Sequence, residues 1–351
     1  MKITGLIRQD SAVGFYRLVQ PMRFLKRKGN DCRMTFFSGD NVYGENSHGH
    51  LVVNEQLLAK ISKDADIIWS NFTANKDDMA RMLDIRKWTG GKLIIDIDDN
   101  LYNASRDNPG ELAKKYRKEI ELSLKIADGL TVSVPNLKKL YEPMNKNIYI
   151  KPNGIDIKLY RRNLKPHKGI RIGWEGAYGH RADLELVYPA IKQLIKDYGI
   201  TFVVFGTSPK HGLKEPDFPV EFHDWVGFSK YQKKLASLQL DIAVSPLIDS
   251  SYNRCKSNLR ILDNSALHIP VVASPVENLK GLPCLYASNN WEWYNQLEKL
   301  ILDGKKRKKH GELQYDFIKE NFSEDKLVKP LLKWFSTLER RTDLDPNFRR
   351  R

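Results

Sequence analysis

A lysine, a short polar loop and an acidic residue stand in one segment of this chain at a spacing that suits phosphate chemistry. Lys256 is followed by Ser257 and Asn258, and Asp263 lies seven residues beyond the lysine. The apolar spacing after Asn258 predicts a helix, and the apolar run at 269–273 predicts a buried parallel strand. A loop that opens a helix presents unpaired backbone N–H groups and the positive end of the helix dipole. With Lys256 beside it, this loop is a predicted site for a phosphate or diphosphate.

The elements around this loop place it at the edge of a parallel sheet. Another strand is predicted just upstream, at 240–245, and it ends in a loop that contains Pro246. The order strand, loop, helix, strand brings such loops to the carboxyl ends of the strands. Open α/β sheets bind their ligands at that edge.

The segment from 240 to 274 resembles the C-terminal half of nucleotide-sugar glycosyltransferases of the GT-B fold, specifically the large retaining group 1 or GT4-like family. The shared pattern is an apolar strand ending in Pro-Leu, the pair Lys256-Ser257, the acid Asp263 and the run Pro270–Ser274. A second segment, Ile148–Asp156, is similar to the Pro-Asn-Gly-Val-Asp segment at which chains of this family leave their first domain. The resemblance is clear over residues 148–274 and loose over the first 147.

Two positions depart from the family pattern. Cys255 stands eight residues before Asp263, where the family has the first acid of a pair separated by seven residues, and His268 stands where it has glycine. One carboxylate of the pair is therefore unaccounted for, and the family's contacts to the donor sugar do not carry over whole. In the second segment, Pro152-Asn153-Gly154 is a turn signal, and we expect Gly154 to supply a positive φ there.

The resemblance implies an α/β protein of the GT-B fold, with two facing doubly wound Rossmann-like domains and parallel sheets. Residues 1–157, with a C-terminal return helix at about 330–351, are predicted to form the acceptor-side domain. Residues 158–329 are predicted to form the donor-binding domain. In this resemblance Lys256 steadies the leaving diphosphate, and Asp263 holds ribose or sugar hydroxyls. We expect no cofactor and no metal, because the nucleoside-diphosphate sugar is a substrate and cationic side chains neutralise the phosphates.

Further donor-side candidates follow two other strands of the second half. Glycines after the strand at 170–173 would let the backbone approach the diphosphate, and the cations beside them would meet the phosphates. Trp225 lies where the family recognises the nucleobase, although a core position is the alternative. The full donor-side set is Gly176, Gly179, His180, Arg181, Trp225, Lys256, Ser257, Asn258 and Asp263.

The acceptor-side candidates follow the first strand and a buried strand at 92–99. Asp98 or Asp99 is predicted to orient or deprotonate the acceptor hydroxyl, with a solvated capping loop as the alternative. Strand alternation directs Asp96 and Asp98 the same way, and the GT-B resemblance argues against a metal at this acidic cluster. The other acceptor-side candidates are Gly14, Tyr16, Arg17 and Asp96.

Composition agrees with a two-domain enzyme and adds a charge anomaly. The chain has 351 residues, too many for one typical core. It has no apolar run long enough to span a membrane, and its polar N-terminus reads as a strand rather than a signal peptide. Its three widely spaced cysteines suggest free thiols. These features predict a cytoplasmic protein; they give no oligomeric state.

The formal net charge is +15, and the cations are clustered. Such a surface favours a polyanionic acceptor or partner. A glycan at the anionic inner face of a membrane, with peripheral membrane association, is the preferred interpretation. DNA carrying hydroxymethylated bases is the first alternative. Two further alternatives concern the function itself: a sugar-nucleotide epimerase, and a non-catalytic nucleic-acid-binding protein on a GT-B scaffold. The clusters are 17–28, 158–171, 305–309 and 349–351.

Alternating apolar runs predict the remaining elements. A helix is predicted from 14 to 28, with Pro21 kinking or delaying it, and another over 111–127. Terminal helices are predicted over roughly 312–340. The predicted strands are 2–7, 66–71, 92–99, 129–134, 148–151, 170–173, 201–206, 220–223, 240–245 and 271–273.

Overall fold

The chain forms two compact α/β units. The first holds the described residues up to 154 and those from 324 onward, and the second holds 155–323. Among the described residues, the chain passes into the second unit after Gly154 and returns to the first with the helix Glu324–Thr337. The computed structural model describes residues 1–8, 11–36, 55–102, 115–163 and 165–342.

Each unit is built on a six-stranded parallel sheet. The first sheet consists of β1 Lys2–Ile7, β2 Asp31–Phe36, β3 Ile67–Asn71, β4 Lys92–Ile97, β5 Gly129–Val132 and β6 Ile148–Ile150. The second consists of β7 Arg171–Glu175, β8 Thr201–Phe205, β9 Glu221–His223, β10 Ile242–Ser245, β11 Val271–Ala273 and β12 Leu285–Tyr286. The α-helices are Ala12–Gly14, Gln20–Arg27, Glu55–Ser62, Lys76–Thr89, Arg117–Ile126, Pro135–Tyr141, Arg181–Glu185, Tyr188–Tyr198, Phe228–Ser237, Leu259–Ser265, Asn290–Leu302, Gly304–Asn321 and Glu324–Thr337.

The strand orders define where each unit can bind a ligand. The first sheet runs β2-β1-β3-β4-β5-β6, and the second runs β12-β11-β10-β7-β8-β9. The direction of winding reverses between β1 and β3 in the first sheet and between β7 and β10 in the second. Ligands of open α/β sheets bind outside the carboxyl ends of the strands at this switch point. The loops after β7 and β10 therefore position the candidate site of the second unit.

Apolar runs and helix caps account for the elements. β4 is buried at all positions after Lys92, as expected for a central parallel strand covered on both faces. The helix Lys76–Thr89 begins where Asn75 Oδ1 accepts the amides of its first turn and ends at Gly90, which has a φ of +71°. In the first unit, Val328 and Phe335 of the last helix pack in one core with β1, β3 and β4.

The predicted strands are present, and two others were not predicted. β2 alternates polar and apolar residues at the edge of its sheet, and β12 has two residues, too short to give a periodic signal. The helix predicted over 14–28 begins at Ala12 and includes a π-helical turn, Phe15–Val19. In a regular α-helix the ring of Pro21 would clash with the carbonyl four residues earlier. The wider π-helical turn contains that residue and relieves the clash.

Three sequence features extend beyond the described residues: the basic run 349–351 lies wholly outside them, as do the last nine residues of the return helix predicted at about 330–351 and the first four of the helix predicted over 111–127. Cys32, Cys255 and Cys284 are described, and none of them forms a disulfide. Over the described ranges, no helix has both the length and the apolar character needed to cross a membrane.

Candidate functional site

Two glycines bring the ends of β7 and β8 into backbone contact. A Cβ at Gly176, just after β7, would lie 2.6 Å from the Trp174 ring. A Cβ at Gly206, just after β8, would lie 2.7 Å from the Gly176 carbonyl oxygen, and Gly206 has a φ of +103°. Gly206 was not among the sequence candidates. Gly179 has open space around it, so packing does not require glycine there.

A buried carboxyl group ends β7 at the switch point. Glu175 is 4% exposed, and its Oε1 accepts a hydrogen bond of 2.6 Å from Asn264 Nδ2. Its Oε2 and Asn264 Oδ1 are buried without a hydrogen-bond partner in the described part of the chain. Burial raises the pKa of Glu175 to about 8, with a further contribution from the charge of Asp263. Glu175 is therefore mostly neutral at pH 7. The two buried oxygens without a partner indicate a place where a ligand or water binds.

Three nitrogen-bearing side chains gather at this edge. Arg260 Nε donates a 2.7 Å hydrogen bond to the Glu175 carbonyl, and its guanidinium lies 5.1 Å from the Trp174 ring centroid. Burial lowers the pKa of His180, and the positive charges of Lys256 and Arg260 lower it further, against a hydrogen bond to Asp183. Sequence reasoning missed Arg260; the available signal was a second cation in the first turn of the helix that the loop at 256–258 opens.

Asp183 connects the segment after β7 to the loop after β10. Its Oδ2 lies 3.0 Å from His180 Nδ1, and its Oδ1 accepts from the Ile248 amide at 2.9 Å and from Asn253 Nδ2 at 2.8 Å. Although burial opposes ionisation, these hydrogen bonds lower the pKa of Asp183. Asp183 thus fixes His180 against the loop that follows β10. Its spacing of three residues from His180 was the available sequence signal.

Asp263 is buried and bonded to two tyrosines. Its Oδ1 accepts from the Tyr160 hydroxyl at 2.5 Å, and its Oδ2 accepts from the Tyr231 hydroxyl at 3.3 Å. It is 2% exposed. Its assignment to a ribose or sugar hydroxyl stays a prediction, and the contacts in the structure hold the helix Leu259–Ser265 in place.

Trp225 presents a partly exposed aromatic surface after β9. It is 40% exposed and lies nearly parallel to Phe205, with centroids 6.4 Å apart and an interplanar angle of 16°. Phe228 and Tyr231 complete the cluster. The remaining donor-side candidates are partly exposed: Ser257 and Asn258 in the loop after Lys256, and Arg181, whose guanidinium lies over the Tyr178 ring.

In the first unit, Arg17 and Asp96 form a buried ion pair. Arg17 Nη2 lies 2.8 Å from Asp96 Oδ1, and its Nη1 donates to the Lys151 carbonyl at 2.6 Å and to Asn153 Oδ1 at 2.9 Å. Thr131 donates a further hydrogen bond to Asp96. Arg17 and Asp96 are almost fully buried. Their acceptor-side role stays a prediction; the observed contacts fix strand ends of this unit.

A second buried pair adjoins the first. Lys151 Nζ lies 3.1 Å from Glu324 Oε1, and both side chains are fully buried. Gln20 Nε2 bridges the Gly154 carbonyl and Glu324 Oε2. The expectation of a positive φ at Gly154 was wrong, because Gly154 is absent from the residues with positive φ. Glycine is needed there for space, since a Cβ would lie 2.1 Å from Glu324 Oε2.

The other acceptor-side candidates divide between buried and partly exposed positions. Gly14 lies within a helical turn rather than a loop, with a φ of −57°, and Tyr16 is 1% exposed. Asp98 and Asp99 are partly exposed. β4 ends at Ile97, so the alternation argument does not reach Asp98. Within the ranges that the structure describes, no three His, Cys, Asp or Glu side chains are grouped to hold a metal ion.

The buried Glu175 carboxyl predicts a pH-dependent stability difference. From pH 5 to 8 the native state keeps this proton and the unfolded chain loses it, so each pH step lowers the free energy of unfolding. Glu175→Gln cannot ionise, so we expect its free energy of unfolding relative to that of wild type to rise with pH. The rise is at most about 1.4 kcal/mol for each unit by which the native pKa exceeds the unfolded one. Urea unfolding at pH 5 and pH 8 measures the difference. Glu185→Gln, at an exposed position, is the control; parallel pH profiles for Glu175→Gln and wild type would refute the expectation.

Comparisons with known proteins place the whole chain in one fold. No protein-family model and no curated protein sequence matches it. It is similar in structure to sucrose-phosphate synthase from Thermosynechococcus elongatus, with a TM-score of 0.68 and 14% identity over 96% of this chain and 99% of that one. It is also similar to Anabaena HepE in complex with UDP-glucose, with a TM-score of 0.67 and 12% identity over 96% of this chain and 100% of that one.

A third similar structure is the DNA-modifying enzyme β-glucosyltransferase, with a TM-score of 0.57 and 12% identity over 95% of this chain and 99% of that one. Together with the two parallel sheets, these likenesses show that the chain has the GT-B fold. The predicted fold class is confirmed.

Proposed function

We propose that this protein is a glycosyltransferase that moves a sugar from a nucleoside-diphosphate sugar to a hydroxyl acceptor. The observation that carries the proposal is the position of Arg260 and His180 at the switch point of the second sheet, where Arg260 is bonded to the Glu175 carbonyl and His180 is bonded through Asp183 to the loop after β10 that leads to Lys256. A Cβ at Gly176 would lie 3.0 Å from Arg260 Nη2, so this glycine leaves room for the guanidinium beside the backbone, and such a cation suits a diphosphate. The GT-B fold and the sequence resemblance support the same donor class.

In the proposed donor complex, each part of the nucleotide has a partner in the second unit. The diphosphate lies on Lys256 and Arg260 beside Gly176, and the base stacks on Trp225. The neutral His180 imidazole donates or accepts one hydrogen bond, with its orientation fixed by Asp183. Ser257 and Asn258 contribute polar contacts in the loop. Asp263 is proposed to contact ribose or sugar hydroxyls, as the sequence resemblance implies.

The proposed reaction breaks the bond between the anomeric carbon and the diphosphate oxygen and forms a bond from that carbon to the acceptor oxygen. Negative charge grows on the departing diphosphate, so fixed cations stabilise the transition state more than the ground state. The acceptor proton passes to Asp98 or Asp99, the partly exposed acids after β4. Retention of the anomeric configuration is proposed from the sequence resemblance.

The acceptor is proposed to be part of a polyanion. The net charge of +15 supports this, and so do basic side chains such as Arg23, Lys26 and Arg27, which remain exposed in the first unit. A glycan at an anionic membrane surface is the first candidate. DNA is the second, and the likeness to the DNA-modifying β-glucosyltransferase supports it.

A panel of nucleotide sugars tests the donor assignment. The correct donor should raise Tm increasingly as its concentration rises. At 100 times its Kd, binding should add about 2.7 kcal/mol to the free energy of unfolding. Transfer should continue in excess EDTA, because side-chain cations neutralise the phosphates. If no nucleoside diphosphate or nucleotide sugar shifts Tm, the donor site is refuted. A rate that only Mg²⁺ or Mn²⁺ restores would place a metal in the reaction and refute the metal-free expectation.

A further inference from the structure

Two consecutive helices of the second unit carry unusually exposed apolar side chains. The helices Asn290–Leu302 and Gly304–Asn321 are joined by one residue, Asp303. Trp291 is 73% exposed, Leu302 is 66% exposed and Leu313 is 51% exposed. These are three of the four most exposed large apolar side chains among the described residues. Their exposure costs favourable burial, so this face is a candidate for a partner that covers it.

Helical geometry aligns these residues with lysines. Trp291 and Leu302 are eleven residues apart, which places them on the same side of their helix, about 20° apart. On the next helix, Lys306, Lys309 and Leu313 follow the spacing of three and four residues that makes one stripe. Lys306, Lys309 and Leu313 therefore share one face of this helix, and Leu302, at the end of the preceding helix, stands only three residues before Lys305.

The lysines stand where helix stability alone would not place them. Lys305, Lys306, Lys308 and Lys309 occupy the first two turns of an 18-residue helix, whose positive dipole end opposes cations; the acid at this end is the N-cap residue Asp303, which accepts a hydrogen bond from the Lys306 amide. Arg307 has a structural role, because its Nη1 donates to the Leu300 and Ile301 carbonyls at 2.6 and 2.9 Å and caps the preceding helix. The lysines themselves are exposed.

We propose that this basic–apolar strip, defined as Leu302, Lys305, Lys306, Lys309 and Leu313, docks the protein on an anionic lipid bilayer. Lysine ammonium groups at the surface attract anionic headgroups, and leucine side chains gain by entering the boundary between headgroups and acyl chains. A nucleic acid would use the lysines and leave the leucines in water. The pairing of both side-chain types therefore favours lipid.

The strip deepens the proposed function, since it supplies a way to hold the enzyme at a membrane-borne acceptor, and it rests on the membrane-surface form of that proposal. Vesicle binding is measured with the full chain in the absence of nucleotide sugar. Donor binding by thermal shift is measured separately on the same variants. Failure of docking and failure of the donor assignment are therefore distinguishable.

The experiment is cosedimentation with vesicles of phosphatidylcholine alone and of phosphatidylcholine with 30 mol% phosphatidylglycerol, roughly matching an anionic leaflet. Wild type should bind the anionic vesicles and bind more weakly as salt rises. Lys305→Ala/Lys306→Ala/Lys309→Ala and Leu302→Asn/Leu313→Asn should each weaken binding roughly tenfold or more, since both contacts contribute. Lys196→Ala/Lys230→Ala/Lys233→Ala removes the same charge from exposed positions elsewhere in this unit and should change binding less than about twofold.

Three outcomes would overturn the proposal. The first is that wild type fails to bind anionic vesicles at low salt. The second is that the control triple variant loses as much binding as the strip variant, which would make the effect one of net charge. The third is that the leucine variant binds vesicles normally while the lysine variant loses binding to duplex DNA, which would assign the strip to nucleic acid. Unchanged Tm in every variant shows that the losses do not come from unfolding.

Discussion

Lys256→Ala is expected to lower kcat/KM for sugar transfer about 30- to 1,000-fold, a loss of about 2–4 kcal/mol of transition-state stabilisation. The lysine stands at the switch-point edge of the second sheet, where its charge acts together with that of Arg260 on His180. Its removal takes away a charge-assisted contact that strengthens as the diphosphate departs. Steady-state kinetics with the identified donor measure the loss.

The Tm of Lys256→Ala should stay close to wild type, because the side chain is only partly buried. Lys196→Ala provides the matched control. Lys196 is exposed on the helix Tyr188–Tyr198, which ends near the amino ends of the strands, opposite the candidate site. We expect its kinetics to match wild type. Full turnover by Lys256→Ala would show that the loop at 256–258 does not hold the leaving group.

Glu324→Gln is expected to lower the free energy of unfolding by about 3–5 kcal/mol. Glu324 and Lys151 are fully buried, and removal of the carboxylate charge leaves the lysine ammonium without its compensating partner. Burial already lowers the pKa of Lys151, with the charge of Arg17 acting in the same direction and that of Glu324 opposing it. Urea unfolding, followed by fluorescence, measures the change.

The neighbouring residue supplies a matched control for this prediction. Asp325 pairs with Lys28 at 2.7 Å, and its side chain is 52% exposed, so Asp325→Asn should cost less than about 1 kcal/mol. Lys151→Met/Glu324→Leu should recover much of the loss of Glu324→Gln, because neither charge is then buried alone. Equal effects of Glu324→Gln and Asp325→Asn would contradict the proposed energetic weight of the buried pair.

Local pattern was enough to predict the architecture. Runs such as 93–95 and 242–244 are apolar, so burial between two helical layers is their favourable state. The order of such runs with helices then requires a parallel sheet. The segment 256–274 likewise predicted the loop and helix that place Lys256 near a strand edge. β12 was missed because two residues carry no periodic signal, and β2 was missed because its polar and apolar residues alternate and give no run of consecutive apolar residues like those of the buried strands.

The contacts within the sites could not be predicted in this way, because they join residues far apart in the chain. Arg17 pairs with Asp96, 79 residues away, and Lys151 with Glu324, 173 residues away. The sequence presents Arg17 in a predicted helix and Asp96 in a predicted strand, and no local pattern indicates that the two side chains pair. Their burial against each other appears only when β1, β4 and β6 assemble.

The chemistry of the second unit depends on assembly in the same way. Sequence alone placed Lys256 and His180 on loops after parallel strands, and topology brought those loops to one switch point. Only the folded structure buries Glu175 beside Asn264, 89 residues later, and raises its pKa. Periodicity reports which side of an element is apolar. The desolvation of a particular carboxyl group depends on every element packed around it, and the tertiary structure alone decides that.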